Sequence, residues 1–412
     1  MKTKRAWLVV ALINFLFAAG MGALLRLAFV VELSWIKYQY LLHAHSHIAM
    51  LGWIYMALFA LLVHAFVPEG KSLKRYGQLF WLTQISVIGM LLSFPVQGYG
   101  PVSIAFSTVH ILFSYMFILW LWRDMGAQRT FSRLLLRTAL LFQLFSTLGV
   151  WLMGPIMAGP LRQSSFYYLA VQFYLHFQFN GWFIIGALAL FFKLLEDRNI
   201  AVPRFRQRRF YQFLLVSVFL SYGLVVVWGT QIKAFLVVNG IGVITQLLAL
   251  ALFWQLIRLD DNGYPKKLFP GLAGKALTLA FFSFSLKIFL QALTVIPPVA
   301  QAAFTIRNYI IGFIHLMLLG AVTLFVLSYA IREGLLSVQS AVARWGIWMI
   351  GLGFVLSESL LLLQGTLQWS RLGFLPVYYE SLFGVSALIP IGLLLCVFKG
   401  ISYRSSKKSN SF

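Results

Sequence analysis

The chain has 412 residues, of which 61% are hydrophobic and only 10% charged. A soluble chain carries about 25% charged residues, so this composition excludes a soluble globular protein and marks a polytopic membrane protein. The formal charge of +23 does not mark a nucleic-acid binder, because the basic residues are spread through short loops between apolar runs, where they orient a chain in a bilayer.

Met1 to Arg5, followed by an apolar run, resembles a signal peptide. The run continues to about Val31, interrupted only by Arg26. That is too long for a signal core, so it reads as a first span. A span needs roughly 20 apolar residues. Twelve stretches qualify, at about 7–31, 42–67, 77–96, 102–123, 134–156, 168–193, 210–231, 234–257, 271–296, 307–331, 341–364 and 377–399. No extended polar domain interrupts them; the longest polar connection, around Glu196 to Arg209, is a basic loop.

The N-terminus, the connections after spans 2, 4, 6, 8 and 10, and the C-terminus hold 26 of the 33 Lys and Arg, including Lys71, Lys74, Arg75, Arg204, Arg206, Arg208 and Arg209. The remaining seven are Arg26, Lys37, Arg162, Lys233, Lys287, Arg307 and Arg371. This asymmetry predicts an all-α polytopic integral membrane protein. Residues 1–412 form one twelve-helix membrane domain with both termini cytoplasmic. The expected location is the bacterial inner (cytoplasmic) membrane. The single cysteine, Cys396, lies in the last apolar run and allows neither an intrachain disulfide nor a cysteine metal cluster.

Histidines stand out against this background. His43, His45 and His47 open span 2, while spans 4, 6 and 10 carry His110, His176 and His315. A titratable residue inside a membrane span is costly and is a functional-site candidate by default. At 1.5 Å per residue, His47, His110, His176 and His315 all fall roughly 8–13 Å below the outer boundary. A shared depth predicts a haem or metal layer. Neutral imidazole ligates haem iron, copper, zinc and non-haem iron, and two histidines from facing helices clamp a haem. No carboxylate shares the layer within these spans, which argues against a di-iron carboxylate site.

The histidines also have plainer roles. His110 is either a ligand or a cross-helix hydrogen-bond donor. His45 lies on a different helix face from His47 and is either a further ligand or, like His43, a surface residue. His64 reads as interfacial at the cytoplasmic end of span 2. Three of the spans share a local pattern, His-x-x-x-x-Gly, at His47–Gly52, His176–Gly181 and His315–Gly320. The glycine lies on a different face from the histidine and is expected to permit close helix packing. Glu358, flanked by Ser357 and Ser359 in span 11, is either a proton relay, a partner of Lys287 in span 9, or a serine-satisfied glutamic acid that locks two helices.

These residues resemble the catalytic subunit of the haem-copper oxidase superfamily, closest to the nitric oxide reductase large subunit and the cbb3-type oxidases. That family has twelve spans with ligands on spans 2, 6, 7 and 10. Here span 2 runs from His47 to Val67-Pro68-Glu69, span 6 reads His176-Phe-Gln-Phe-Asn180-Gly181, and span 10 reads Phe313-Ile314-His315 followed by Gly320-Ala321. The resemblance implies that His47 and His315 are the axial ligands of a low-spin haem b. It implies that His176 is a ligand of a second metal, copper or non-haem iron, and that Arg371 pairs with haem propionates. His110 has no family counterpart and is expected to rebuild a metal site with His176, with His45 as a further candidate.

The sequence also departs from the family. Phe313 stands where the high-spin haem ligand is expected, span 7 has no histidines around Trp228-Gly229-Thr230-Gln231, and Asn180 replaces the glutamate of nitric oxide reductases. The catalytic ligands for oxygen or NO reduction are therefore incomplete, and the expectation is electron transfer with a degenerate second centre. The chain carries no CxxCH motif, so the expected donor is quinol or a separate cytochrome c, with partner subunits.

A second resemblance is to the NnrS family, whose early His-x-His-x-x-x-x-Gly is matched by His45-Ser-His47 to Gly52 and whose later His-x-x-x-x-Gly-Ala is matched by His315 to Ala321. It implies haem or copper handling in nitric oxide tolerance. A proton-coupled transporter is the third reading, although no repeat of one half of the chain in the other is evident.

Overall fold

The computed structural model describes residues 2–68, 71, 73–200, 202–257 and 268–406. Among them every regular element is helical. Twelve helices are long and apolar enough to cross a membrane: Thr3–Leu27, Tyr38–Phe66, Leu73–Gln97, Pro101–Asp124, Phe131–Ala158, Ser165–Asp197, Arg204–Thr230, Ala234–Ile257, Gly271–Leu293, Arg307–Arg332, Ala341–Trp369 and Tyr378–Phe398. The chain is an all-α polytopic membrane protein, and these helices are its spans 1–12. Glu69, the last residue of the Val67-Pro68-Glu69 resemblance, lies outside the described residues.

Several spans begin earlier than their apolar runs, span 2 at Tyr38, span 3 at Leu73 and span 7 at Arg204. The backbone ladder continues through polar side chains because it satisfies its own donors and acceptors whatever the hydropathy. Side chains cap several starts. Thr130 accepts from the Arg133 N–H (3.4 Å) at span 5, and Ser340 from Ala343 N–H (3.1 Å) at span 11. Each cap satisfies one of the otherwise orphaned N-terminal donors.

Spans 2, 6 and 10 differ from the rest. Their apolar windows are 83%, 89% and 61% buried, against 33–56% in the other nine. Each also contains a π-helical stretch, Ile48–Tyr55, Phe177–Phe183 and Leu316–Thr323. No half-to-half repeat was expected, and the recurrence falls instead on every fourth span. A π turn inserts one residue into the ladder and occurs mostly at functional sites. Span 7 is also irregular. It runs as Arg204–Leu220 and Gly223–Thr230, broken at Ser221 and Tyr222.

The chain forms two compact units, one of residues 1–125 and 326–412, the other of residues 126–325. In the first, span 1 packs on spans 2 and 12, span 3 on span 4, and span 11 on span 12. Asn14 and Gln84 exchange amide hydrogen bonds (2.8 and 2.9 Å), and Asn14 also donates to Gly52 O (2.8 Å), so spans 1, 2 and 3 are tied by polar side chains. At the other end of spans 3 and 4, the Tyr76 hydroxyl (2.9 Å) and Arg75 both donate to Asp124. In the second unit, span 5 packs on span 6, span 7 on span 8, span 8 on span 9, and span 9 on the π stretch of span 10. Ser146 of span 5 donates to Gln178 Oε1 in the π stretch of span 6 (2.8 Å).

Candidate functional site

His47, His176 and His315 occupy the same structural position. Each is the last residue of a regular α segment, Tyr38–His47, Ser165–His176 and Arg307–His315, and the next residue starts a π stretch. The α segments before them are largely half-buried: the fully buried residues are Leu41 and Ala44 in span 2, Ala170 in span 6, and none in span 10. The helix after each histidine is buried almost throughout. Counted along its own helix at 1.5 Å per residue, each of these histidines, and His110 as well, lies about 12–17 Å from the helix start. That is slightly deeper than the apolar runs imply, because the helices start earlier.

Two glycines of the His-x-x-x-x-Gly pattern, Gly52 and Gly181, provide close packing, as expected. A Cβ on Gly52 would meet Val87 Cγ1 at 2.9 Å, and one on Gly181 would meet the Phe142 ring at 2.4 Å.

In the first unit, His47 is oriented by its own helix. Its Nδ1–H donates to His43 O (2.9 Å). This leaves Nε2 as the nitrogen with the lone pair, the arrangement by which a carbonyl fixes the tautomer of a ligating imidazole. Phe94 lies against the ring at 4.2 Å between centroids and Tyr99 at 5.6 Å. His45 turns to span 1, where Nδ1 donates to Ala18 O (2.8 Å) and the ring fills the space beside Gly22. His43 is half-buried against Tyr99. His110 is 1% exposed and lies edge-on to Tyr55 at 4.7 Å. Its Nε2 has no hydrogen-bond partner among the described residues. His64 Nε2 is 3.6 Å from Glu333 at the end of span 2.

Arg371 is exposed in the turn after span 11, with a positive φ of 57°. The turn is tied down by Gln364, whose Oε1 accepts from Leu375 N–H (2.8 Å). Glu358 lies within electrostatic range of Arg26, and Arg26 donates to Ser386. Spans 1, 11 and 12 each contribute a residue.

In the second unit, His176 Nε2–H donates to Val218 O in span 7 (2.8 Å). The break in span 7 explains why this carbonyl needs a donor. Tyr222 N–H, which would close the helix on Val218 O, bonds Phe219 O instead (3.3 Å). His176 supplies the missing donor and keeps Nδ1 as its lone-pair nitrogen, with Tyr222 at 5.4 Å. Asn180 donates to His176 O (3.0 Å), and its Oδ1 accepts from Lys287 Nζ (2.7 Å). Lys287 also donates to Gln291 Oε1 (2.8 Å) and sits 5.8 Å from the centre of the Phe313 ring.

Of the three residues expected at a second metal, His45 engages the backbone carbonyl of Ala18 and His176 that of Val218. Among the described residues, no three His, Cys, Asp or Glu side chains are gathered as a metal site. Sequence reading missed the capping roles and the Asn180–Lys287 contact. The recurring His-x-x-x-x-Gly pattern was the one signal that located the π stretches. No protein-family model matches the chain, and no curated protein is similar to it.

Proposed function

We propose that the chain is a haem-binding protein of the bacterial cytoplasmic membrane that passes electrons, with His47 and His315 as the axial ligands of a low-spin haem b. The observation that carries this reading is the state of His47. Its Nδ1 is committed to a carbonyl and its ring is flanked by Phe94, at the junction of a half-buried segment and a buried π stretch. Those features suit an iron ligand set in an aromatic wall. His315 enters the proposal through its matching register before a π stretch and through the family resemblance.

Bound haem supplies one-electron transfer. The protein's own residues orient the imidazole, exclude water from the buried halves of the spans, and set charge nearby. Exposed Arg371 is the proposed partner of the propionates. The reading keeps the second centre degenerate. Phe313 has no iron-binding atom, Asn180 is engaged with Lys287, and His176 is engaged with span 7. Oxygen or NO reduction is therefore not part of the proposal. The electron donor is quinol or a cytochrome c, with or without partner subunits.

The test is a reduced-minus-oxidised visible spectrum of the purified protein with a pyridine haemochrome assay, repeated on His47→Ala and His315→Ala. One low-spin b-type haem, lost in both variants, is the expected result. A haem retained in either variant would refute the ligand pair. No haem at all would end the reading and leave a proton-coupled transporter as the alternative. The NnrS-like alternative, haem or copper handling in nitric oxide tolerance, shares the haem. It is separated by a deletion strain that is sensitive to nitric oxide but respires normally.

A further inference from the structure

Lys287 is 2% exposed in the interior of span 9. Its two hydrogen-bond acceptors among the described residues, Asn180 Oδ1 and Gln291 Oε1, are neutral amide oxygens. An ammonium has three N–H donors, so one donor is left over. The described acidic residues of the same unit, Glu196 and Asp197, are used elsewhere. Glu196 accepts from Ser132, and Asp197 pairs with Lys193. Neither is available to Lys287.

Beside Lys287 is a cavity of about 10 Å³, lined by Asn180, Gln246 and Lys287 on one side and by Val218, Phe284 and Ile288 among the apolar groups. Gln246 is 6% exposed, and its Oε1 is buried with no hydrogen-bond partner among the described residues. An acceptor left unsatisfied within a membrane is costly, because no solvent there can replace its partner. A cavity of roughly 10–15 Å³ in this measure holds one water, provided two to four polar groups face it.

We propose that this cavity is a binding site for a single water molecule, which accepts from Lys287 Nζ–H and donates to Gln246 Oε1. The second lone pair of Asn180 Oδ1 takes its other hydrogen. The site answers both the surplus donor and the orphaned acceptor, and it joins spans 6, 8 and 9 through one hydrated lysine. It also places an exchangeable proton donor inside the unit, within electrostatic range of His176. Nothing in the proposal depends on haem.

Radiolytic hydroxyl labelling of the full-length protein in heavy-oxygen water tests it, because radicals formed from a bound water label the side chains around it. Ile288, 2% exposed, lines the cavity, whereas Ile185, 1% exposed, does not. The expected result is heavy-oxygen incorporation at Ile288 well above Ile185, falling to the Ile185 level in Gln246→Leu and in Lys287→Met. Gln246→Leu removes only the acceptor and keeps the test open should Lys287→Met not fold. Equal labelling of Ile288 and Ile185 in the native protein would overturn the site, as would labelling of Ile288 that is unchanged in Gln246→Leu.

Discussion

At the scale of single residues, the histidines divide by what their ring nitrogens already do. His176 is the clearest case. Its Nε2–H closes a carbonyl that the break in span 7 leaves open, so its first role is to hold spans 6 and 7 together. Replacing it with Phe keeps the aromatic volume among Phe177 and Tyr222 but removes the donor. An unsatisfied buried carbonyl costs about 1–3 kcal/mol, so His176→Phe is expected to lower the midpoint of thermal unfolding in detergent while leaving intact the spectrum of the haem proposed above. A haem or metal band that disappears at full stability would instead make His176 a ligand. The existence of the histidines and their places along the helices were legible in the sequence, since polar residues in apolar runs are conspicuous. Their bonds were not. Which nitrogen is committed depends on a carbonyl 42 residues away for His176 and 27 residues away for His45, and no local pattern encodes such a partner. The Lys287–Asn180 contact, 107 residues apart, was hidden for the same reason.

At the scale of elements, apolar length identified every span, because a bilayer imposes a minimum run that composition alone displays. It said nothing of the ladder inside a span. A π turn or a break costs no hydropathy, so the three π stretches and the interruption at Ser221 and Tyr222 left no mark beyond the recurring glycine. Packing between spans follows small residues, which let backbones approach. Spans 11 and 12 show it best. A Cβ on Gly346 would meet Gly392 O at 2.6 Å and one on Gly392 would meet Gly346 O at 2.5 Å. Backbone cannot move aside as a side chain can. Gly346→Ala is therefore expected to destabilise by about 1–3 kcal/mol, the usual cost of overpacking. Gly240→Ala, with no atom within 4 Å of its Cβ, is expected to be neutral or mildly stabilising through helix propensity. A thermal unfolding series on the two variants checks the contrast, and equal effects would show that the 11–12 contact does not depend on its glycines.

At the scale of the whole molecule, charge sets the expected direction of insertion. Twelve spans would return the C-terminus to the side of the N-terminus, with 26 of the 33 basic residues there, and the positive-inside rule predicts that side to be the cytoplasm. The asymmetry counts Lys and Arg, so the Arg75–Asp124 pair does not weaken it; acidic residues contribute little to orientation. The chain is well suited to a direct test, because its one cysteine, Cys396, is 2% exposed, with Sγ 3.6 Å from Ala343 O. Ser370 lies just after span 11 and Gln339 just after span 10, both exposed. With a membrane-impermeant maleimide on intact cells, Ser370→Cys is expected to label and Gln339→Cys to label only after permeabilisation, while the native chain stays unlabelled in both conditions. The opposite pattern would reverse the orientation and put the starts of spans 2, 6 and 10, with their histidines, nearer the cytoplasmic face. Labelling of both from outside would break the alternation between spans 10 and 11, and with it the assignment of the loop charges to a single side.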